Sequence, residues 1–162
     1  MSIYRGKVNQ KLFFARLLAD EFDHAADAHH QRLRLESLLF QLYLAYHFHL
    51  RHIAASYQCR APEDVHAVDD LVQQLAAGNK SPAEAAEIQA LLGAPGGWLK
   101  PMLAAYRACL GASQDTPGGV AEGLIPVAQV DGPEEFTVDT ARQWLQGLTE
   151  LVERQRDTMV EY

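Results

Sequence analysis

Residues 32–57 constrain the fold more than any other stretch. Between Arg32 and Tyr57 the chain carries Leu38, Leu39, Phe40, Leu42, Tyr43, Leu44, Ala45, Tyr46, Phe48, Leu50, Ile53 and Ala54, with no Gly or Pro among them. A helix that is apolar on nearly every face is either a membrane span or the centre of a folded protein, and a span needs about 20 predominantly apolar residues. Gln41, His47, His49, Arg51 and His52 interrupt this one well short of that length. The sequence therefore predicts a central, buried helix in a soluble bundle.

Its neighbours read as helices of the ordinary amphipathic kind. From about Gly6 to His29, Val8, Leu12, Ala15, Leu18, Phe22 and Ala25 recur at steps of three and four, and the polar stretch DAHHQRLR places a turn near His30. Pro62 opens PEDVHAVDDLVQQLAAG, which has acidic residues at its positive end and Gly78 near its stop. Ser81, Pro82 and Glu84 spell a capping box for a short helix running to Leu92. GAPGG makes a turn, WLKPMLAAYRACLGA resumes helical spacing with Pro101 in its first turn, and a last helix from about Val138 to Met159 is capped by Thr137 or Asp139. Between them, residues 111–136 are rich in Gly and Pro and lack a helical period, although LIPVAQV is apolar enough to lie against the bundle. The expectation is a single all-α domain over residues 1–162, a five- to six-helix bundle around the long buried second helix, with one long Gly/Pro-rich loop at about 111–136.

Charge narrows the function classes. The formal net charge of −7 argues against a phosphate backbone as partner, so nucleic acid is not expected, and neither is a membrane. Two cysteines without CxxC spacing suit a reducing compartment. MSIYRGKVNQKLFF lacks an apolar run before a cleavage site, so a mature chain beginning at or near Met1, and a cytoplasmic location, are expected. The charge is uneven: residues 1–60 hold eight basic and five acidic side chains, and residues 61–162 hold six and sixteen. Either the two parts attract each other, or a basic face recruits an acidic protein partner or a second copy of the chain.

No catalytic signature stands out. Glu21-Phe22-Asp23-His24 and Glu63-Asp64-Val65-His66 both match the Glu-x-x-His ligand pair of di-iron bundles, but the second helix holds them roughly 30 Å apart. Asp20, His24 and Asp27 line one ridge, which suits a surface as well as a mononuclear metal. A turn near residue 60 sets His52 beside His66 with Cys59 at the corner, and with His49 these are the residues that could ligate a metal. Half-buried histidines hydrogen-bonded to a carbonyl or carboxylate inside an apolar helix are the simpler reading of the histidines among them. Gly111-Ala112-Ser113-Gln114-Asp115 lacks the closing glycine and the preceding strand of a nucleophile elbow, Cys109 has no histidine neighbour in sequence, and the Walker and GxGxxG patterns are absent.

NQKLFFARLLAD, LLFQLYLAYHFHLRHIA and WLQGLTELVERQRDTMVEY together resemble a family of small, uncharacterised, all-helical proteobacterial proteins. The resemblance covers most of the chain and implies a bacterial cytoplasmic helical bundle; it carries over no functional residue. The function expected is that of a non-enzymatic interaction or scaffold protein, without a cofactor, presenting the aromatic positions Phe40, Tyr43, Tyr46 and Phe48 of its second helix, as a homodimer or to an acidic partner. The alternatives are a metal- or small-ligand-binding bundle using His49, His52, His66 and Cys59, and an enzyme whose site lies beneath the 111–136 loop.

Overall fold

The computed structural model describes residues 2–24, 27–111 and 136–159. They form six α-helices and, among the described residues, no strand: α1 (Ile3–Glu21), α2 (Ala28–Ser56), α3 (Val68–Ala77), α4 (Ala83–Gly93), α5 (Leu99–Cys109) and α6 (Val138–Thr158). The protein is an all-α bundle. Nearly all of the Gly/Pro-rich stretch, with LIPVAQV and the lid it was considered to form, lies outside the described residues.

The long second helix is continuous over 29 residues, about 43 Å at 1.5 Å per residue. Asp27 starts it: its backbone is extended and its carboxylate accepts from the His30 amide at 2.9 Å. Those hydrogen bonds to His30, backbone first, hold the Asp27 carboxyl below the usual carboxylate range. Asp27 is thus a helix cap rather than part of a metal ridge with Asp20 and His24. The turn comes earlier than His30 because α1 ends at Glu21, and a single 3-10 turn, Phe22–His24, follows. Arg34 donates to the Glu21 carbonyl and Arg142 to the Ala19 carbonyl, so the open end of α1 is closed by cations from two other helices.

The α1–α2 hairpin is antiparallel, and α6 lies against both, parallel to α2. Arg142 of α6 reaches Ala19 and Arg156 reaches Arg5, while Gln155 meets His49. Helices α3, α4 and α5 wrap the remaining side of α2. One contiguous core joins all six helices; its fully enclosed large side chains include Leu38, Leu42, Leu50 and Ile53 of α2, Leu71 and Leu75 of α3, Ile88 of α4, Met102 of α5 and Leu148 and Leu151 of α6. Trp98 lies so close over Gly147 that a Cβ there would stand 2.8 Å from the indole, and only a glycine lets α6 pass.

Two helix ends use the left-handed conformation without a glycine. Gln58 (φ 55°) follows α2, with Cys59 N–H donating to Ala54 and Gln58 N–H to Ala55; Asn79 (φ 55°) closes α3 in the same way. The expected capping box at α4 does not form. Pro82 occupies the N-cap, and the Glu84 carboxylate turns inward because two hydroxyl donors wait there. A tertiary pair of hydrogen bonds has displaced a local one.

Candidate functional site

Two regions depart from the rule that polar groups face water and apolar groups do not. The first lies where α2, α4 and α6 meet. His49 is wholly enclosed and its Nε2–H donates to Gln155 Oε1 at 2.8 Å. The Gln155 amide nitrogen in turn donates to the Glu84 carbonyl at 3.1 Å and to Glu87 Oε2 at 2.9 Å, which fixes the amide's orientation and hence the imidazole tautomer. Glu84 accepts from the Tyr57 hydroxyl at 2.9 Å and from Thr158 Oγ1 at 2.7 Å, and Glu87 is paired with Arg154.

Burial pulls the His49 pKa down to about 4 against the pull of the Gln155 bond, so the ring is neutral at pH 7. Burial raises the Glu87 pKa, but the bonds from Gln155 and Arg154 outweigh it and leave the carboxyl below its ordinary range. His49 Nδ1 has no hydrogen-bond partner. Apart from that nitrogen, the hydrogen bonds of the junction run between its own polar groups, so it acts as a peg between helices.

The sequence-based candidates are separated by the fold. His49 and His52 are buried neighbours on α2 with ring centroids 6.4 Å apart. His66 lies against His47 instead, at 5.9 Å, and Cys59 sits in the C-terminal cap of α2, its thiol pKa raised by burial. Among the described residues no group of three or more His, Cys, Asp or Glu side chains has the arrangement of a metal site. His52 was expected beside His66 from a helical return; the return is a single 3-10 turn, Pro62–Asp64, followed by extended Val65, and these climb about 2.0 and 3.3 Å per residue against 1.5 Å in an α-helix. His66 therefore travels further back along α2, where Arg51 Nε holds the Val65 carbonyl at 3.0 Å.

An open groove of about 500 Å³ lies beside that cap, lined by Ser56, Tyr57, Gln58, Lys80, Ser81 and Pro82. Its one cation, Lys80, donates to the Tyr57 carbonyl and so serves the helix end.

The second region is the outward side of α1. The core side of that helix is Val8, Leu12, Ala15 and Ala19. On the opposite side Ile3, Phe13, Phe14 and Leu17 are exposed, by 70, 53, 37 and 41%. The aromatic positions of α2, expected to be the docking face, are largely covered. Tyr46 is buried, Tyr43 stacks on Tyr106 of α5 with centroids 3.6 Å apart, and Phe48 lies under the Lys7 ammonium at 5.2 Å; Phe40 alone of the four stays well exposed. The face on α1 was missed because the sequence reading followed one stripe. The signal was present in Ile3, Phe13, Phe14 and Leu17, which fall off that stripe.

A model described as a family of unknown function, DUF6586, matches residues 1–162, the whole chain. The chain belongs to DUF6586. No curated protein and no solved structure matches it significantly. For this DUF6586 member the geometry of the two regions therefore carries the functional argument. No helix among the described residues is long and apolar enough to cross a membrane.

Proposed function

We propose that the protein is a non-enzymatic interaction module that docks another protein chain on the outward face of α1. The observation that carries this reading is the exposure of Ile3, Phe13, Phe14 and Leu17 on one side of a helix whose other side is fully committed to the core. A group of two phenylalanines and two branched aliphatics on one water-facing side of a helix is the kind of exposed apolar patch that marks an interaction site. Lys7, Lys11 and Arg16 border the face, with Lys11 Nζ 5.3 Å over the Phe14 ring, so an apolar patch with a basic rim is presented.

A photo-crosslinking residue in place of Phe13, in cells, should trap a protein adduct that the same residue at exposed Gln89 does not. Absence of any adduct at Phe13, with the fold intact by circular dichroism, would sink the proposal.

A further inference from the structure

We infer that the cleft between α1 and α6 binds a tetrahedral oxyanion of the phosphate class, held between Arg16 and Arg156. The inference is independent of the docking reading, because none of the cleft's residues is among the four exposed apolar ones. The cleft has a volume of about 160 Å³ and is lined by Asn9, Leu12 and Arg16 of α1 and by Val152, Glu153 and Arg156 of α6. That is well under the roughly 300–1,000 Å³ of a site for a drug-sized molecule, and it suits a small ion or one end group of a larger ligand.

Arg156 is the group that lacks acceptors. A guanidinium carries only N–H donors and stays charged at any ordinary pH. Here Nη2 reaches the Arg5 carbonyl at 3.5 Å, the edge of hydrogen-bond range, and Nε–H is buried without a partner. Burial first, and then the Arg5 charge, lowers the Arg156 pKa against an opposite pull from Glu153. Arg32, Arg142 and Arg154 are paired with carboxylates; among the described residues neither Arg16 nor Arg156 is. A charged donor group left short of acceptors at a partly buried position costs free energy, which an anion seated against it recovers.

The arrangement selects the ligand class. Arg16 and Arg156 belong to opposite walls of the cleft. A planar carboxylate fills one arginine fork, whereas a tetrahedral group presents oxygens to two at once, and a double negative charge balances the pair. The Asn9 side-chain amide adds a neutral donor. Arg5, Asn9 and Arg16 follow one another on α1 at steps of four and seven, so they share the flank that packs toward α6. On a chain of net charge −7 this positive charge is local, which suits one anionic group rather than a polyanion, and Glu153 at the cleft keeps the affinity modest.

NMR of the isotope-labelled full chain, titrated with inorganic phosphate at an ionic strength held constant with chloride, reads the site directly. The Nε–H signals of Arg16 and Arg156 and the side-chain amide of Asn9 should shift together and saturate, with a Kd of about millimolar or tighter. Arg156→Lys keeps the charge and loses the fork, and Arg16→Gln changes an exposed position; each should weaken binding at least about fivefold. Glu153→Gln should tighten it at least about twofold, an effect that misfolding does not imitate. Acetate should bind at least about tenfold more weakly than phosphate. Glycerol phosphate separates the sources: binding as tight as that of phosphate assigns the end group of a phosphate monoester, weaker binding assigns the free ion, and either supports the site. If circular dichroism shows Arg156→Lys to be misfolded, Arg16→Gln and Glu153→Gln decide. No saturation up to about 50 mM phosphate, equal binding of acetate, or Arg16→Gln and Glu153→Gln both indistinguishable from wild type, overturns the inference.

Discussion

The α2–α4–α6 junction and the outward face of α1 are inversions of each other. In the first, an imidazole, an amide and a carboxylate sit inside the bundle; in the second, two phenylalanines and two aliphatics sit outside it. The inner groups have partners in the same chain: Gln155 serves His49, Glu84 and Glu87 together, and Tyr57 and Thr158 serve Glu84. Of the outer groups, Phe13 and Phe14 are neighbours and Lys11 lies over the Phe14 ring, while none of the four belongs to the buried core. An inversion that is satisfied locally explains itself as structure. One that is not satisfied locally points outside the chain.

Acid should break the comparison most strongly, on the inner side. His49 titrates near 4 in the fold and near 6.5 in an unfolded chain, so between those values the unfolded state binds more protons. Stability is whole above pH 6.5 and falls as the pH drops toward 4, by up to about 3 kcal/mol. His47, whose pKa is lowered by burial and by Arg51, acts in the same direction. Glu87, with its depressed pKa, adds its loss only below the ordinary carboxylate range. Urea unfolding at pH 7, 5.5 and 4.5 should show this slope, flattened in His49→Leu; parallel slopes for the two proteins would contradict a buried neutral imidazole.

Gln155→Ala comes next, because it strands the His49 donor and the Glu84 carbonyl in one step. A loss of roughly 2–3 kcal/mol in denaturant unfolding at pH 7 is expected. Tyr57→Phe removes one of the two hydroxyls that donate to Glu84 and should cost about 1 kcal/mol, read in the same way. At the outer face, Phe13→Glu with Leu17→Glu should leave monomer stability within about 0.5 kcal/mol, because neither side chain is part of the core. A large loss there would show that the face belongs to the fold.

Much of the bundle was legible in the sequence because its signals are local. The unbroken apolar run made α2 readable, the three–four stripe marked α1 and α6, Thr137 capped α6 as its residue type suggests, and Pro101 sits in the first turn of α5. What escaped depended on tertiary context. Glu84 abandoned its local cap for Tyr57 and Thr158, and His66 met His47 because a 3-10 turn and extended chain cover more distance per residue than an α-helix. Gln155, which organises the inner junction, carries no motif; a polar residue three positions beyond Val152 on an apolar stripe was its only trace.

The central claim is that the apolar side of α1 faces water in the free chain. Solvent paramagnetic relaxation of the Phe13 and Leu17 side chains in dilute purified protein tests it most directly. Strong attenuation of both, comparable with that of exposed Leu33 and unlike that of buried Leu38, is the expected result. Protection of Phe13 and Leu17 to the level of Leu38 would contradict it.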